Sequence, residues 1–283
     1  MGSEMCIRDR LLFAALLAGA SPAFAQDAGP LPDPNDRSDT FTIAAGGALI
    51  PDYEGSDDSE FMPFAAVRGR VSGFEFYMRE THLYVDLLRQ PTSGMDFDFG
   101  PIIGVRLNRT GSVEDDFVDA LPERDMAFEI GAFAGMSFHG LTNPYDELSL
   151  RLDFKHDVGG AHGSSIISPN IDFGTPLSRH TYLGLSAGLD FVGDGWADYY
   201  YSISPADSVA SLLPVYEAEG GMKNWRLGAL VNQSITGDLT GGFSVFAGAN
   251  YSHLSGDIAD SPIVDLRGKR SQWQLAAGLA YTW

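Results

Sequence analysis

Residues 271–283 read SQWQLAAGLAYTW, and their side chains alternate between two faces of an extended strand. One face is apolar and ends in aromatic residues: Trp273, Leu275, Ala277, Leu279, Tyr281 and Trp283. The other face is small or polar without charge: Gln272, Gln274, Ala276, Gly278, Ala280 and Thr282. Successive side chains of a strand point to opposite sides, so only one of these faces suits lipid. The segment therefore predicts a membrane-facing β-strand.

The same period-2 alternation recurs along most of the chain. In residues 146–157 the apolar Leu148, Leu150, Leu152 and Phe154 oppose Ser149, Arg151, Asp153 and Lys155. A soluble β-sandwich would alternate in the same way, but glycine is disfavoured on the outer face of a soluble sheet. Here glycine recurs on the polar side, at Gly104, Gly131, Gly135, Gly184, Gly188, Gly228 and Gly248. The pattern favours an all-β transmembrane antiparallel up-and-down β-barrel.

We count about 12 strands, with 10 or 14 as alternatives. The twelve segments lie near residues 39–50, 61–72, 74–88, 95–109, 126–138, 146–157, 165–174, 179–193, 212–222, 225–236, 240–252 and 270–283. This count places the acidic stretch 110–125 in the periplasm, where turns should be short. Splitting 74–88 near residues 79–81 and adding a strand at 197–204 moves the stretch outside and gives 14. The split strands would be shorter than the roughly 9–11 residues of a crossing, so 12 is the preferred count.

The amino-terminal residues indicate export. Residues 11–20 form a short apolar run, and Ala23-Phe24-Ala25 is a small-x-small cleavage site, so residues 1–25 are predicted to be a signal peptide. Residues 1–10 resemble a gene-assembly scar, because Glu4 and Asp9 cancel the positive charge of an ordinary signal. Cys6, the single cysteine, would leave with this segment. Residues 26–39 read as a flexible periplasmic lead and 40–283 as a barrel in a Gram-negative outer membrane.

Charge narrows the classes of partner. The formal net charge of −20 makes nucleic acid an unlikely ligand, since nucleic-acid binding depends on basic residues. In an exported barrel, acidity is typical of solvated loops with contacts to divalent cations or lipopolysaccharide. No residue pattern calls for a cofactor.

Seven charged residues are predicted to face the lumen: Arg106, Glu129, Arg151, Asp153, Lys155, Asp190 and Arg226. They could line an aqueous pore or pair into a plug, and a lumen of about 12 strands is compatible with either. Their mixed signs favour pairing, because an isolated charge in a narrow lumen is costly. We therefore expect Arg151, Asp153 and Lys155 each to meet an opposite charge from a neighbouring strand.

Catalytic and metal sites are weakly indicated. His156, Asp157, His162 and Ser164 lie close together, as in a barrel-rim lipid hydrolase, but the intervening glycines indicate a tight turn and no Gly-x-Ser-x-Gly elbow surrounds Ser164. The spacing of Asp153, His156 and His162 could suit a metal ion. Two histidines without further residues to orient them do not predict a metal site. Tyr199, Tyr200 and Tyr201 fit either a sugar-stacking platform or an interfacial aromatic girdle, and the girdle is favoured.

Three loop motifs carry a family resemblance. They read GGALIPDYEGS at 46–56, HDVGGAHG at 156–163 and GDIADSPIV at 256–264, with Met62-Pro63 after the first. Together they resemble the outer-membrane family of MltA-interacting protein and OmpV. The residues that carry the likeness are Pro51, Tyr53, Gly55, Ser56, Asp157, Gly160, His162, Gly163, Asp260, Ser261 and Pro262.

That resemblance implies a non-catalytic barrel that acts as a scaffold, in adhesion or in envelope maintenance, with murein-synthesising or murein-cleaving enzymes as partners. Tyr281 and Trp283 resemble the signal read by the barrel assembly machinery. A porin-like small-solute channel is the alternative function, and a barrel-rim lipid hydrolase is third.

Overall fold

The structure is a computed structural model that describes residues 38–88 and 94–283. The predicted signal peptide, its Cys6 and nearly all of the predicted lead lie outside the described residues. Within these ranges no helix has both the length and the apolar character needed to cross a membrane.

Twelve antiparallel strands form one closed barrel in which each strand pairs with its neighbours in sequence and β1 closes on β12. The closing pair runs in register from Thr42 opposite Thr282 to Leu49 opposite Leu275. The predicted transmembrane up-and-down barrel of 12 strands is confirmed. The strands are β1 Thr40–Pro51, β2 Ser59–Val71, β3 Phe74–Arg79, β4 His82–Val85, β5 Met95–Arg106, β6 Ala127–His139, β7 Glu147–Asp157, β8 Ser165–Pro176, β9 Thr181–Val192, β10 Gly221–Ser234, β11 Gly242–Leu254 and β12 Ser271–Thr282.

Two of the twelve predicted strands were wrong, and the errors cancel in the count. The single strand predicted at 74–88 is a hairpin of β3 and β4, which turns at Glu80 with a positive φ of 54°. The strand predicted at 212–222 is loop as far as Gly220, and it follows a helix capped by Ser204 and Asp207. The strand considered at 197–204 is also absent, because helix forms there instead.

Long connections gather at one end of the barrel and short turns at the other. The long ones are residues 107–126, 193–220 and 255–270, and they contain the helices α1 Asp116–Asp119, α2 Asp194–Tyr201, α3 Pro205–Ser211, α4 Gly256–Asp260 and α5 Pro262–Asp265. The short ones include residues 140–146, 177–180 and 235–241. Long loops are typical of the extracellular end. Because 74–88 is a hairpin, the acidic stretch 110–125 lies at this end with the other long loops.

The barrel wall separates an apolar outside from a polar inside. On β5 the outward Phe97, Phe99 and Ile103 are half exposed or more, whereas the inward Asp96 and Asp98 are buried. In a bilayer those exposed rings and aliphatic chains meet lipid, and the polar groups inside pair with one another or with water in the lumen. The interior is therefore where function has to be sought.

Candidate functional site

A buried carboxylate, Glu129 on β6, lies at the centre of the strongest ionic cluster in the lumen. Its Oε1 accepts a hydrogen bond of 2.7 Å from Arg106 Nε, and its Oε2 lies 2.8 Å from His82 Nε2. His162 Nε2 lies 3.4 Å from Oε1. Gly104 makes room for His82, because a Cβ at that position would lie 2.6 Å from the imidazole ring. The cluster joins β4, β5 and β6 to the turn after β7.

Glu54, from the loop after β1, reaches across the lumen below the extracellular loops. Its carboxylate accepts from Arg106 Nη1 at 3.1 Å and from Lys223 Nζ at 2.8 Å, on opposite sides of the barrel. Lys223 also lies 3.7 Å from Asp190, which in turn lies 3.3 Å from Arg226. We name this chain of contacts, from Arg106 through Glu54 to Asp190, the upper crossing.

A second set of side chains crosses the lumen closer to the periplasmic end. Arg79 on β3 donates to Asp172 on β8 at 2.9 Å, and Arg151 donates to the Tyr77 hydroxyl at 2.9 Å. Arg151 also donates to Asp153 at 2.7 Å. We name these contacts the lower crossing. Side-chain contacts thus cross the lumen at two levels.

Six of the seven charges predicted for the lumen take part in these contacts, and Lys155 is the exception. Arg151 meets an opposite charge from a neighbouring strand as expected, because its Nη1 lies 3.6 Å from Asp172 on β8. For Asp153 the expectation was wrong, because its ionic partner is Arg151 of its own strand. Lys155 is 8 % exposed, and within the described residues its Nζ forms no hydrogen bond or ion pair. We expected Glu129 or Asp190 to pair with Lys155, but both carboxylates already form ion pairs with arginines.

A chamber of about 70 Å³ lies between the two crossings. Glu54, Arg106 and Lys223 border it above, and Arg79 and Asp153 border it below. Lys155, Glu80 and Asp190 also line it. At roughly 15 Å³ of accessible volume per water, the chamber holds about five waters.

The extracellular loops fold into a compact lid, which we define as residues 52–58, 107–126, 193–220 and 255–270. One apolar cluster joins Trp196, Tyr200 and Tyr201 of α2 to Ile258 of α4. A second cluster joins loops that are distant in sequence, through Tyr53, Val118, Leu121, Ile203, Leu213 and Ile263. Tyr200 and Tyr201 are almost fully buried here, so neither belongs to a membrane girdle or to an open stacking platform.

The residues of the first and last loop motifs build this lid. The Tyr53 hydroxyl donates to the carbonyl oxygens of Ile263 and Arg267, both at 3.3 Å. Ser56 pairs with Gly268 in an isolated bridge, and Ser261 Oγ donates to Tyr201 O at 2.8 Å. The other motif residues surround these contacts: Pro51 ends β1, Gly55 has a φ of 108°, Asp260 pairs with Arg270, and Pro262 begins α5.

The middle motif forms the tight turn after β7. Asp157 accepts from the backbone amides of Gly159, His162 and Gly163 at 2.8 to 2.9 Å, while Gly160 and Gly163 have positive φ. His162 Nδ1 accepts from the Ser164 amide at 3.2 Å, and its Nε2 faces Glu129. Neither ring nitrogen is therefore available to take a proton from Ser164 Oγ. His156 is bonded to Ser165 and points away from the lumen.

The MltA-interacting protein MipA family model matches residues 43–283. The chain belongs to the MltA-interacting protein family. The resemblance drawn from the loop motifs is thus confirmed, and the match covers the barrel and its lid. No curated protein sequence matches the chain.

Several solved outer-membrane proteins are similar to this chain over most of its length, at low TM-scores. An outer-membrane channel of Pseudomonas putida has a TM-score of 0.43 at 10% identity, over 91% of this chain and 98% of that one. OmpT of Vibrio cholerae has a TM-score of 0.33 at 8% identity, over 90% and 100%. OprD of Pseudomonas aeruginosa has a TM-score of 0.33 at 9% identity, over 89% and 96%.

Several residues of the site were missed from sequence. Glu54 lies inside the first motif, but its reach into the lumen depends on a loop conformation that alternation does not encode. Lys223 faces inward because the register shifts between Met222 and Asn224. His82 and Tyr84 were missed because the hairpin turn changes which alternate residues face inward. The break of alternation between Arg79 and His82, both polar, was the available signal.

Tyr281 and Trp283 lie together at the periplasmic end of β12. Their rings are 4.6 Å apart, and Trp283 also lies 5.8 Å from the ring of Phe41 on β1. They mark the seam where the barrel closes.

Proposed function

We propose that this protein is a non-conducting outer-membrane scaffold that holds murein-cleaving or murein-synthesising enzymes at its periplasmic end. The observation that carries the proposal is the obstruction of the lumen by the lid and the two crossings, in a member of the MltA-interacting protein family. A barrel closed in this way has its binding surfaces at its ends. The periplasmic end is the one that faces murein.

The same proposal includes location and assembly. Residues 1–25 act as an export signal, the barrel assembly machinery reads Tyr281 and Trp283, and lipopolysaccharide surrounds the acidic lid. The proposed role is non-enzymatic, because the histidine nearest to Ser164 is engaged through both ring nitrogens. Adhesion or envelope maintenance through the lid is compatible with the same closed barrel.

The periplasmic turns offer a surface for such a partner. Leu141, Leu177 and Ile235 lie in three different turns and are 53%, 61% and 59% exposed. Exposed apolar side chains at neighbouring turns are typical of interaction sites when polar groups surround them. We take these three residues as the candidate docking positions.

The test is a binding assay between the refolded protein and purified MltA-type transglycosylase. A triple variant with Leu141, Leu177 and Ile235 changed to serine should bind at least about tenfold more weakly, because apolar anchors carry most of the energy of an interface. The control changes the lid residues Val209, Leu212 and Val215 to serine, which are 79%, 77% and 53% exposed. The proposal would be contradicted if only the lid variant lost binding. It would also be contradicted if the wild-type protein did not bind the transglycosylase.

The charged chamber favours the alternative of a small-solute channel, because its lining is polar and lies on the barrel axis. A channel would require both crossings to open. Planar-bilayer conductance of the refolded wild-type protein separates it from the scaffold.

A further inference from the structure

Two opposite charges face the lumen chamber without meeting each other. Lys155 is more than nine-tenths buried on β7 and lines the chamber. Glu80 lines it from the tip of the β3–β4 hairpin, where its φ is 54°. Among the residues that the structure describes, neither side chain has a hydrogen bond or an ion pair. Every other lysine or arginine on the chamber wall has a carboxylate partner.

Burial makes the position of Lys155 costly unless something pairs with its ammonium group, whereas Glu80 is exposed to the lumen. A buried ammonium needs an opposite charge or several hydrogen bonds to replace the water that it has lost. Asp153 is not free for Lys155, because its two oxygens bind Arg151, Tyr84 and Asn170. Asp190 is held by Ser168, Arg226 and Lys223.

We propose that the chamber is a binding site for a small zwitterion, a molecule that carries one ammonium and one carboxylate group. Its carboxylate would meet Lys155, and its ammonium would meet Glu80. The volume of about 70 Å³ limits the ligand to the size of the smallest amino acids. A simple anion would leave Glu80 unpaired, and a simple cation would leave Lys155 unpaired.

The crossings border the chamber on two sides, through Glu54 above and Arg79 below, so their contacts would slow the exchange of a ligand. Binding is therefore expected to be slow in folded protein and efficient when ligand is present during refolding. The inference does not require the scaffold role, since the site is enclosed within the barrel.

The experiment refolds the full chain into detergent micelles with radiolabelled glycine, D-alanine or L-alanine, and counts the ligand that stays with the protein after gel filtration. Wild type is expected to retain about one ligand per chain. Acetate and methylammonium, which supply one charge each, should be retained at least about tenfold less, the loss expected for one charge-assisted hydrogen bond.

Variants then test the two charges. Lys155→Met and Glu80→Gln should each lower retention about tenfold or more, for the same reason. Lys269→Met and Glu217→Gln are the matched controls, because both residues lie on the exposed lid. The exchange Lys155→Glu with Glu80→Lys should restore retention, because a zwitterion can bind in the reversed direction. Heat-modifiable gel mobility verifies that each variant is folded.

Three results would overturn the proposal. The first is that folded wild type retains no zwitterion, and the second is that it retains acetate and glycine equally. The third is that folded Lys155→Met or Glu80→Gln retains as much ligand as wild type. If Lys155→Met does not fold, Glu80→Gln and the charge exchange still decide the outcome.

Discussion

Glu129 is the residue on which the charged lumen depends most. Its side chain is fully buried and holds Arg106, which is 10 % exposed. Removing one member of a buried ion pair leaves the other without its compensation, and this typically costs about 3–5 kcal/mol. We expect Glu129→Leu to lower the free energy of unfolding by an amount near the lower end of that range, because Glu54 still holds Arg106.

Equilibrium unfolding in urea, followed by tryptophan fluorescence, measures this change. Glu147→Leu is the matched control, since Glu147 is 49 % exposed and lies 3.9 Å from His139. An exposed pair of this kind contributes about 0–1 kcal/mol. The double variant Arg106→Met with Glu129→Leu should recover part of the loss. If the two glutamate variants lowered the free energy of unfolding equally, burial would not determine how much the Glu129 contacts contribute to stability.

Asp115 gives the lid a dependence on pH. Burial raises the pKa of its carboxyl, but hydrogen bonds from Arg267 and from the amides of Val118 and Phe117 outweigh this and hold the pKa below its usual value. A lowered pKa contributes stability above the unfolded value of about 3.9, and that stability is lost as pH falls through the folded pKa. The contact between residues 107–126 and 255–270 should therefore loosen below about pH 4.

Hydrogen exchange of the backbone amides of residues 262–268, compared between pH 7 and pH 3 after correction for intrinsic rates, reports this loosening. Asp115→Asn is the control, because it cannot titrate and should remove most of the pH dependence. Protection that falls equally in wild type and Asp115→Asn would assign the effect to another group.

At this scale the sequence identified seven of the charges that face inward, but it missed others, such as Lys223, and did not show how they pair. Alternation puts Arg151, Asp153 and Lys155 on one face, because a strand has a period of two. Pairing depends on side chains that arrive from loops and from across the barrel, as Glu54 and Arg79 do. Those approaches depend on tertiary geometry, which a local pattern does not contain.

Among the elements, the short hairpin of β3 and β4 shows that a correct number of strands does not mean that each strand was predicted correctly. Residues 74–88 alternate well enough to predict one long strand, but a turn at Glu80 and Thr81 folds the segment back on itself. A shift of one residue moves every side chain to the opposite face. Tyr84 therefore lies inside, stacked on Tyr77 at 5.1 Å, where one continuous strand would have placed it outside.

The lid is the element whose closure can be tested most simply, at Gly55. This glycine has a φ of 108°, and a Cβ there would lie 2.6 Å from Val264 Cγ2. Gly55→Ala should therefore destabilise the lid through both backbone strain and steric overlap. Gly160→Ala is the matched control, since Gly160 also has positive φ but no atom within 4 Å of an added Cβ.

Limited proteolysis of residues 255–270 should be faster in Gly55→Ala than in wild type. Gly160→Ala should differ little there, because its cost of about 1–2 kcal/mol of left-handed strain is confined to the turn after β7. Equal cleavage in the two variants would mean that the contact with Val264 does not hold the first and last loops together.

As a whole molecule, the protein is a barrel that the lid covers at one end and that the upper and lower crossings span inside. The twelve-strand wall was predictable, because period-2 alternation and the lipid environment both act on local sequence. The closure was predictable only in outline, from the mixed signs of the inward charges. The lid was not, because its apolar clusters join four loops that are far apart in sequence.

The central claim, that the lumen does not conduct, is tested most directly by planar-bilayer recording of the refolded wild-type protein at neutral pH. Heat-modifiable mobility verifies folding, and a general porin inserted in the same bilayers supplies reference steps. We expect no conductance steps, because ion pairs span the lumen at two levels under a packed lid. Steady ohmic steps from the wild-type protein would contradict it.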